Sequence, residues 1–191
     1  MTAAGDQDEA LRFGQWLELV ERARPWLGER FGLDLTGTPE DLVPLWTAAM
    51  PVLAYAPPDE PYEALPAWAR WPEVVRPGRI VGALSAATVE VVGALAAYHG
   101  ELLRAAAPPP GVRWEVLHHP PEPFADEGRV VLARPPDASG YSAGWVNPLN
   151  DLFVAAGRQL REPLAPGEPV VGKDDPHRLR WLFYNRLAAL S

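Results

Sequence analysis

SAATVEVVGALAAYHGELLRAA occupies residues 85–106, and RWEVL follows at 113–117, across Pro108–Gly111. The first stretch predicts a long helix. Ser85 suits the N-cap, where a hydroxyl accepts from an orphan backbone N–H. Val89, Val92, Leu95, Ala96, Leu102 and Leu103 spread apolar surface over much of the circumference, as in a helix buried at the centre of a domain. Gly93, Ala96, Ala97 and Gly100 bring small residues together at helical spacing. An interior glycine costs about 1 kcal/mol against alanine, so a neighbour packed closely on it is the expected compensation. In RWEVL the period drops to two, which predicts a strand. Helix and sheet therefore coexist.

Downstream, Arg129–Ala133 predicts a second strand and Tyr141–Val146 a third. No helical crossover separates them, so the meander is antiparallel. Asn147-Pro148 caps a helix carrying Leu149, Leu152, Phe153 and Ala156, and a short strand is conceivable at Pro169–Val171. Asp175-Pro176 opens the last helix, with a stripe of Leu179, Leu182, Phe183, Leu187 and Leu190.

Upstream, Phe13, Trp16, Leu17 and Val20 predict a helix over about Glu9–Arg24. Pro25 is expected to end it or to start a second turn with Trp26, Leu27 and Phe31, and Gly32 is the expected C-cap. Thr38-Pro39-Glu40-Asp41 offers an N-cap hydroxyl, proline at the first helical position and acids facing the helix dipole. Leu42, Leu45 and Trp46 then face inward. From Pro51 to Arg79, seven prolines forbid long helices, yet Tyr55, Tyr62, Trp68 and Trp71 are interleaved with them. This predicts an irregular segment wrapped on the domain, with a helical turn near Ala67–Arg70. The fold class is α+β: N-terminal helices, a long central helix, a short antiparallel β-meander and C-terminal helices, in a single domain over 1–191.

The chain has 191 residues, no cysteine, eight tryptophans and a net charge of −8. So many aromatic anchors exclude wholesale disorder. The missing cysteine excludes a disulfide scaffold and a thiol nucleophile. A single lysine, Lys173, leaves arginine to carry nearly all the positive charge. The acidic balance argues against a broad phosphate-binding surface. Charge is uneven: residues 1–63 carry −8, residues 64–151 carry −2, and residues 152–191 carry +2. Either the ends meet within the fold, or the acidic part faces a basic partner. The acidic start is wrong for a signal peptide, and Glu90 interrupts the most apolar stretch, so a cytoplasmic protein without a membrane span is expected.

Gly140-Tyr141-Ser142-Ala143-Gly144 fits the G-x-S-x-G nucleophile elbow, and Asp174, Asp175 and His177 follow in serine, acid, histidine order. An elbow needs a strand running straight into the serine and a helix leaving it. Here Pro135-Pro136-Asp137-Ala138-Ser139 and Pro148 intervene, so a turn is expected. A small serine hydrolase using Ser142, with His177 and Asp174, is the alternative. His118 and His119 would point to opposite faces of a strand, and His99 and Glu101 diverge on a helix, so no metal site is expected. Asp59-Glu60, Asp126-Glu127 and Asp174-Asp175 read as solvated turns, and Glu101 pairs with Arg104 at i+3. No phosphate-cradling glycine loop is present. Arg178 and Arg180 diverge, so nucleic-acid binding is not expected.

Three segments together resemble a family of small actinobacterial α+β domains of unknown function, some found beside polymorphic toxins and taken for immunity proteins. The first is Phe31-Gly32-Leu33-Asp34-Leu35 with Thr38-Pro39-Glu40-Asp41-Leu42. The second is Ala97-Tyr98-His99-Gly100-Glu101-Leu102-Leu103 followed by Trp114. The third is Asn147-Pro148-Leu149. They span about half the chain. The sequence departs at Asp41, where the pattern favours serine, and in the long stretch Pro51–Arg79. The resemblance implies an α+β fold and carries over no catalytic residue.

The expected function is a non-enzymatic protein-binding domain, immunity- or adaptor-like, with no cofactor and a protein partner. Tyr62, Trp68 and Trp71 are the expected contact patch, because aromatics on a proline-stiffened backbone lose little entropy on binding. The competing reading puts those Trp rings in the domain's own core. A self-assembling structural subunit is a further alternative.

Overall fold

The computed structural model describes residues 3–69, 84–118, 128–136, 144–161 and 172–190. Among the described residues, five α-helices and a small three-stranded sheet make an α+β fold. The helices are α1 (Ala3–Phe31), α2 (Leu42–Ala49), α3 (Ala86–Ala106), α4 (Pro148–Leu160) and α5 (Arg178–Ala189). The strands are β1 (Arg113–Val116), β2 (Val130–Ala133) and β3 (Trp145–Val146), antiparallel in that order.

Helix α3 is the axis of the molecule. Every residue from Val91 to Gly100 is buried, and α1, α4 and α5 pack on it. Ser85 caps it as expected, accepting from Thr88 N at 3.2 Å. Thr88 in turn ties the helix to Ala54 through both backbone groups, at 2.8 and 3.1 Å. Glu60, read as a solvated turn residue, instead reaches the same helix end and accepts from Ala86 N at 2.9 Å. Its carboxylate satisfies an orphan donor at the positive end of the helix dipole.

The small-residue face of α3 receives tryptophans. A Cβ on Gly93 would stand 2.2 Å from the Trp68 ring, and one on Gly100 would stand 2.2 Å from the Trp114 ring. Trp16 of α1 lies between them, edge-on to Trp68 at 5.5 Å and to Trp114 at 5.3 Å between centroids. The close packing inferred from the glycine spacing is thus a column of three indoles. Trp68 stands in the 3-10 turn Ala67–Ala69 and is 5% exposed. That corrects its assignment to a contact patch: the glycine opposite it makes a slot that removes the ring from water.

Pro25 does not end the first helix, which runs unbroken to Phe31. A mid-helix proline loses one hydrogen bond and costs about 3 kcal/mol in a free helix. Here Ala23 and Leu27 are fully buried on either side, so tertiary packing holds the helix across an exposed proline. The helix stops at Gly32, as expected, at φ 65 with Leu33 N donating to Gly28 O at 2.9 Å.

Strand β2 pairs Trp114 with Leu132 on one side and Leu132 with Val146 on the other. Those three residues face the main core, while Val131, Ala133 and Leu117 form a smaller cluster with Trp145 on the opposite face. The third strand is observed at Trp145–Val146, and its expected beginning at 141–143 lies outside the described residues, as does Pro169–Val171. Among the described residues no helix is long and apolar enough to cross a membrane.

Candidate functional site

Helix α5 begins where Asp175 turns the chain. Asp175 Oδ1 accepts from His177 N at 2.9 Å, and Asp175 O accepts from Arg178 N at 3.2 Å. Leu179, Leu182 and Phe183 then bury the inner stripe, as the sequence predicts. The outer face carries two exposed aromatic rings. Trp181 is 56% exposed and Tyr184, three residues on, is 49% exposed. The Arg178 guanidinium lies 5.2 Å from the centre of the Trp181 ring, and that of Arg180 lies 5.9 Å from the Tyr184 ring. Each arginine precedes its ring by three or four positions, the spacing that stacks side chains along a helix. The Tyr184 ring is also held edge-on to Phe183 at 5.2 Å.

The electrostatics of this face are cationic. Helix α5 contains three arginines and no acid. Arg186 forms a fork with the buried carboxylate of Asp151 on α4, with Nε at 2.6 Å from Oδ2. Arg180 meets Glu40 at 3.8 Å, an exposed pair. Arg178 packs its guanidinium beside Gly172 as well as the Trp181 ring, with Asp175 and Asp151 near enough to act on its charge. Burial, and then the neighbouring Arg158, hold its pKa below the ordinary guanidinium value. Two aromatic rings flanked by two arginines form a surface suited to an acidic and partly apolar ligand, with cation–π contacts fixing the rings in place.

The residues singled out in the sequence fall elsewhere. Ser142 and Trp71 lie outside the described residues. Tyr62 stands in the 3-10 turn Tyr62–Ala64, one turn from the buried Trp68. Asp174 adopts a positive φ of 55 and is engaged reciprocally by Gln159, whose Nε2 donates to Asp174 Oδ1 at 2.7 Å and whose Oε1 accepts from Asp174 N at 2.9 Å. His177 is exposed at the N-cap of α5 and makes no hydrogen bond to Asp174. The acid and histidine of the hydrolase alternative are therefore not joined. His118 pairs with Glu9 at 2.8 Å beyond the end of β1, and His119 lies outside the described residues. Among the described residues no three histidine or carboxylate side chains gather as metal ligands.

Two polar centres went unrecognised in the sequence. Asp41, read as a dipole partner, is buried and organises the loop before α2. Its Oδ1 accepts from Thr36 N at 3.2 Å and Thr36 Oγ1 at 3.0 Å, and its Oδ2 from Gly37 N at 2.8 Å, Thr38 N at 3.2 Å and the Tyr98 hydroxyl. Burial alone would raise the Asp41 pKa, but those hydrogen bonds outweigh it and hold the carboxyl below its ordinary value. Burial and the Asp41 carboxylate push the Tyr98 phenol well up. His99 is wholly buried between α3 and α5, edge-on to Phe183 at 6.0 Å, with neither ring nitrogen completing a hydrogen bond. Its pKa is lowered to about 4, mainly by burial. Both centres bind elements of the fold together.

Compared with protein-family models, curated proteins and solved structures, the chain matches none.

Proposed function

We propose that the chain is a cytoplasmic, non-enzymatic protein-binding domain, of immunity or adaptor type, that docks its partner on the outer face of α5. One observation carries this reading: Trp181 and Tyr184 are exposed on one helix face while arginines hold their rings. Tryptophan, tyrosine and arginine are the side chains that most often dominate binding energy at interfaces. Rings already pinned by a guanidinium lose less freedom when a partner covers them. Trp68 is committed to the core and does not contribute to this face.

A photo-crosslinking amino acid at position 181, and separately at position 184, tests the proposal in the native host. The expected result is one discrete protein adduct from both positions and none from exposed Glu90 on α3. An identical adduct pattern from all three positions, or none from any, would overturn it.

A further inference from the structure

We infer that the α5 face takes a second copy of the chain, seated against the outer face of that copy's α1. The inference rests on the reading of α5 as a docking face and names its occupant. Residues 1–63 carry −8 and residues 152–191 carry +2, and α5 packs against α2 and the turn Pro39–Asp41. Arg180 reaches Glu40 only at 3.8 Å, in an exposed pair. Glu18 and Glu21 of α1 are exposed, with exposed Arg22 four residues after Glu18.

The two faces are complementary in kind. On α1, Leu11 is 61% exposed and Leu17 is 37% exposed. At 100° per residue, Leu11, Gly14, Leu17, Glu18 and Glu21 share one side of that helix. Gly14 has open space where a Cβ would stand, so the surface is low between the two leucines. On α5, two exposed rings are flanked by Arg178 and Arg180. One face offers apolar ridges beside two carboxylates, with Arg22 at its edge, and the other offers apolar rings beside guanidiniums. Two α5 faces would instead oppose arginine to arginine, so a symmetric α5 pair is disfavoured. The contact is head-to-tail, so a pair keeps one free α1 face and one free α5 face for further copies. Two or three helical turns a side fall short of the roughly 1,200 Å² of a standard interface, so the association is weak and dependent on concentration.

Sedimentation of the full chain between roughly 10 µM and 1 mM tests this. At about 0.05 M salt the average mass is expected to rise with concentration above the 20.9 kDa of one copy, and to fall back at about 1 M salt, where charges are screened within about 3 Å. The double variants Glu18→Arg/Glu21→Arg and Arg178→Glu/Arg180→Glu should each stay at one copy. Their equimolar mixture should regain the association, because each supplies the face the other has inverted. Trp181→Ser/Tyr184→Ser, altering only exposed rings, should also stay at one copy, and circular dichroism confirms that each variant is folded. A wild type that holds 20.9 kDa throughout overturns the self-contact, while crosslinking at position 181 to another protein still upholds the docking face. Association that ignores salt and survives both charge inversions also overturns it, since another surface is then responsible.

Discussion

The indole N–H of Trp114 donates to Glu101 Oε1 at 2.9 Å, while the Trp114 ring lies on the bare backbone of Gly100, one residue earlier in α3. Arg104 holds the same carboxylate from the next turn, with Nε at 2.9 and 3.0 Å from its oxygens. One carboxylate thus fixes the first strand to the central helix. Glu101→Ala should destabilise the fold by about 1–3 kcal/mol in urea titration, the range for losing a hydrogen bond to a charged acceptor. Glu101→Gln keeps an oxygen for the indole and should lose less. Arg104→Ala should lose under about 1 kcal/mol, because an exposed pair contributes little. If Glu101→Ala and Arg104→Ala prove equal, the indole bond is not the stabilising part.

Gly93 and Gly100 should reject alanine even though alanine is the better helix former. The propensity gain is about 1 kcal/mol. Against it, a Cβ at either site would stand 2.2 Å from a buried indole, and overpacking of this kind typically costs about 1–3 kcal/mol. Each substitution should therefore lower the urea midpoint. Gly14→Ala on α1, where nothing lies within 4 Å, should raise it. A stabilised Gly93→Ala protein would mean that the indole column yields.

Acid should weaken the fold through His99. Burial lowers its pKa to about 4 from an ordinary 6.5, against the opposing Leu179 backbone and with Arg186 acting in the same direction as burial. The unfolded chain therefore takes up this proton first as pH falls. Stability from this residue is complete above about 6.5, declines by roughly 1.4 kcal/mol per pH unit below that, and levels off near 4. His99→Leu removes the titration. The difference in unfolding free energy between pH 7 and pH 5 should be smaller in the variant than in the wild type; equal differences would refute the assignment.

Asp41 governs a lower pH range. Its folded pKa lies below the ordinary carboxyl value, so its contribution is present above that value and is lost as pH falls through the folded one. Asp41→Ala abandons five donors, among them the buried Tyr98 hydroxyl, and should cost at least about 3 kcal/mol by thermal or urea unfolding. Tyr98→Phe removes one donor and leaves four, so it should cost less than half as much.

What the sequence made legible was periodicity and local capping. The long helix, its Ser85 cap, the close packing on Gly93 and Gly100, the Glu101–Arg104 pair and the antiparallel strands were all readable from spacing. Long-range choices were not. Pro25 looked like a stop because the burial of Ala23 and Leu27 on either side is a tertiary fact. Glu60 looked solvated because its target, Ala86 N, is 26 residues away. Trp68 had both a core and a surface reading, and only the position of Gly93 opposite it decides between them. The α5 face was within reach: Arg178 and Trp181, and Arg180 and Tyr184, stand at helical neighbour spacing. Ser142 lies outside the described residues, so the elbow motif itself is not placed.

The stack of Trp68, Trp16 and Trp114 joins three distant parts of the chain through rings 5.3–5.5 Å apart. Indoles so close share their electronic transitions, and the near-ultraviolet circular dichroism of the folded chain should carry a coupled signal that no isolated tryptophan gives. Because Trp16 is the middle member, loss of that signal marks the moment α1 lifts from α3, and Trp16→Phe erases it.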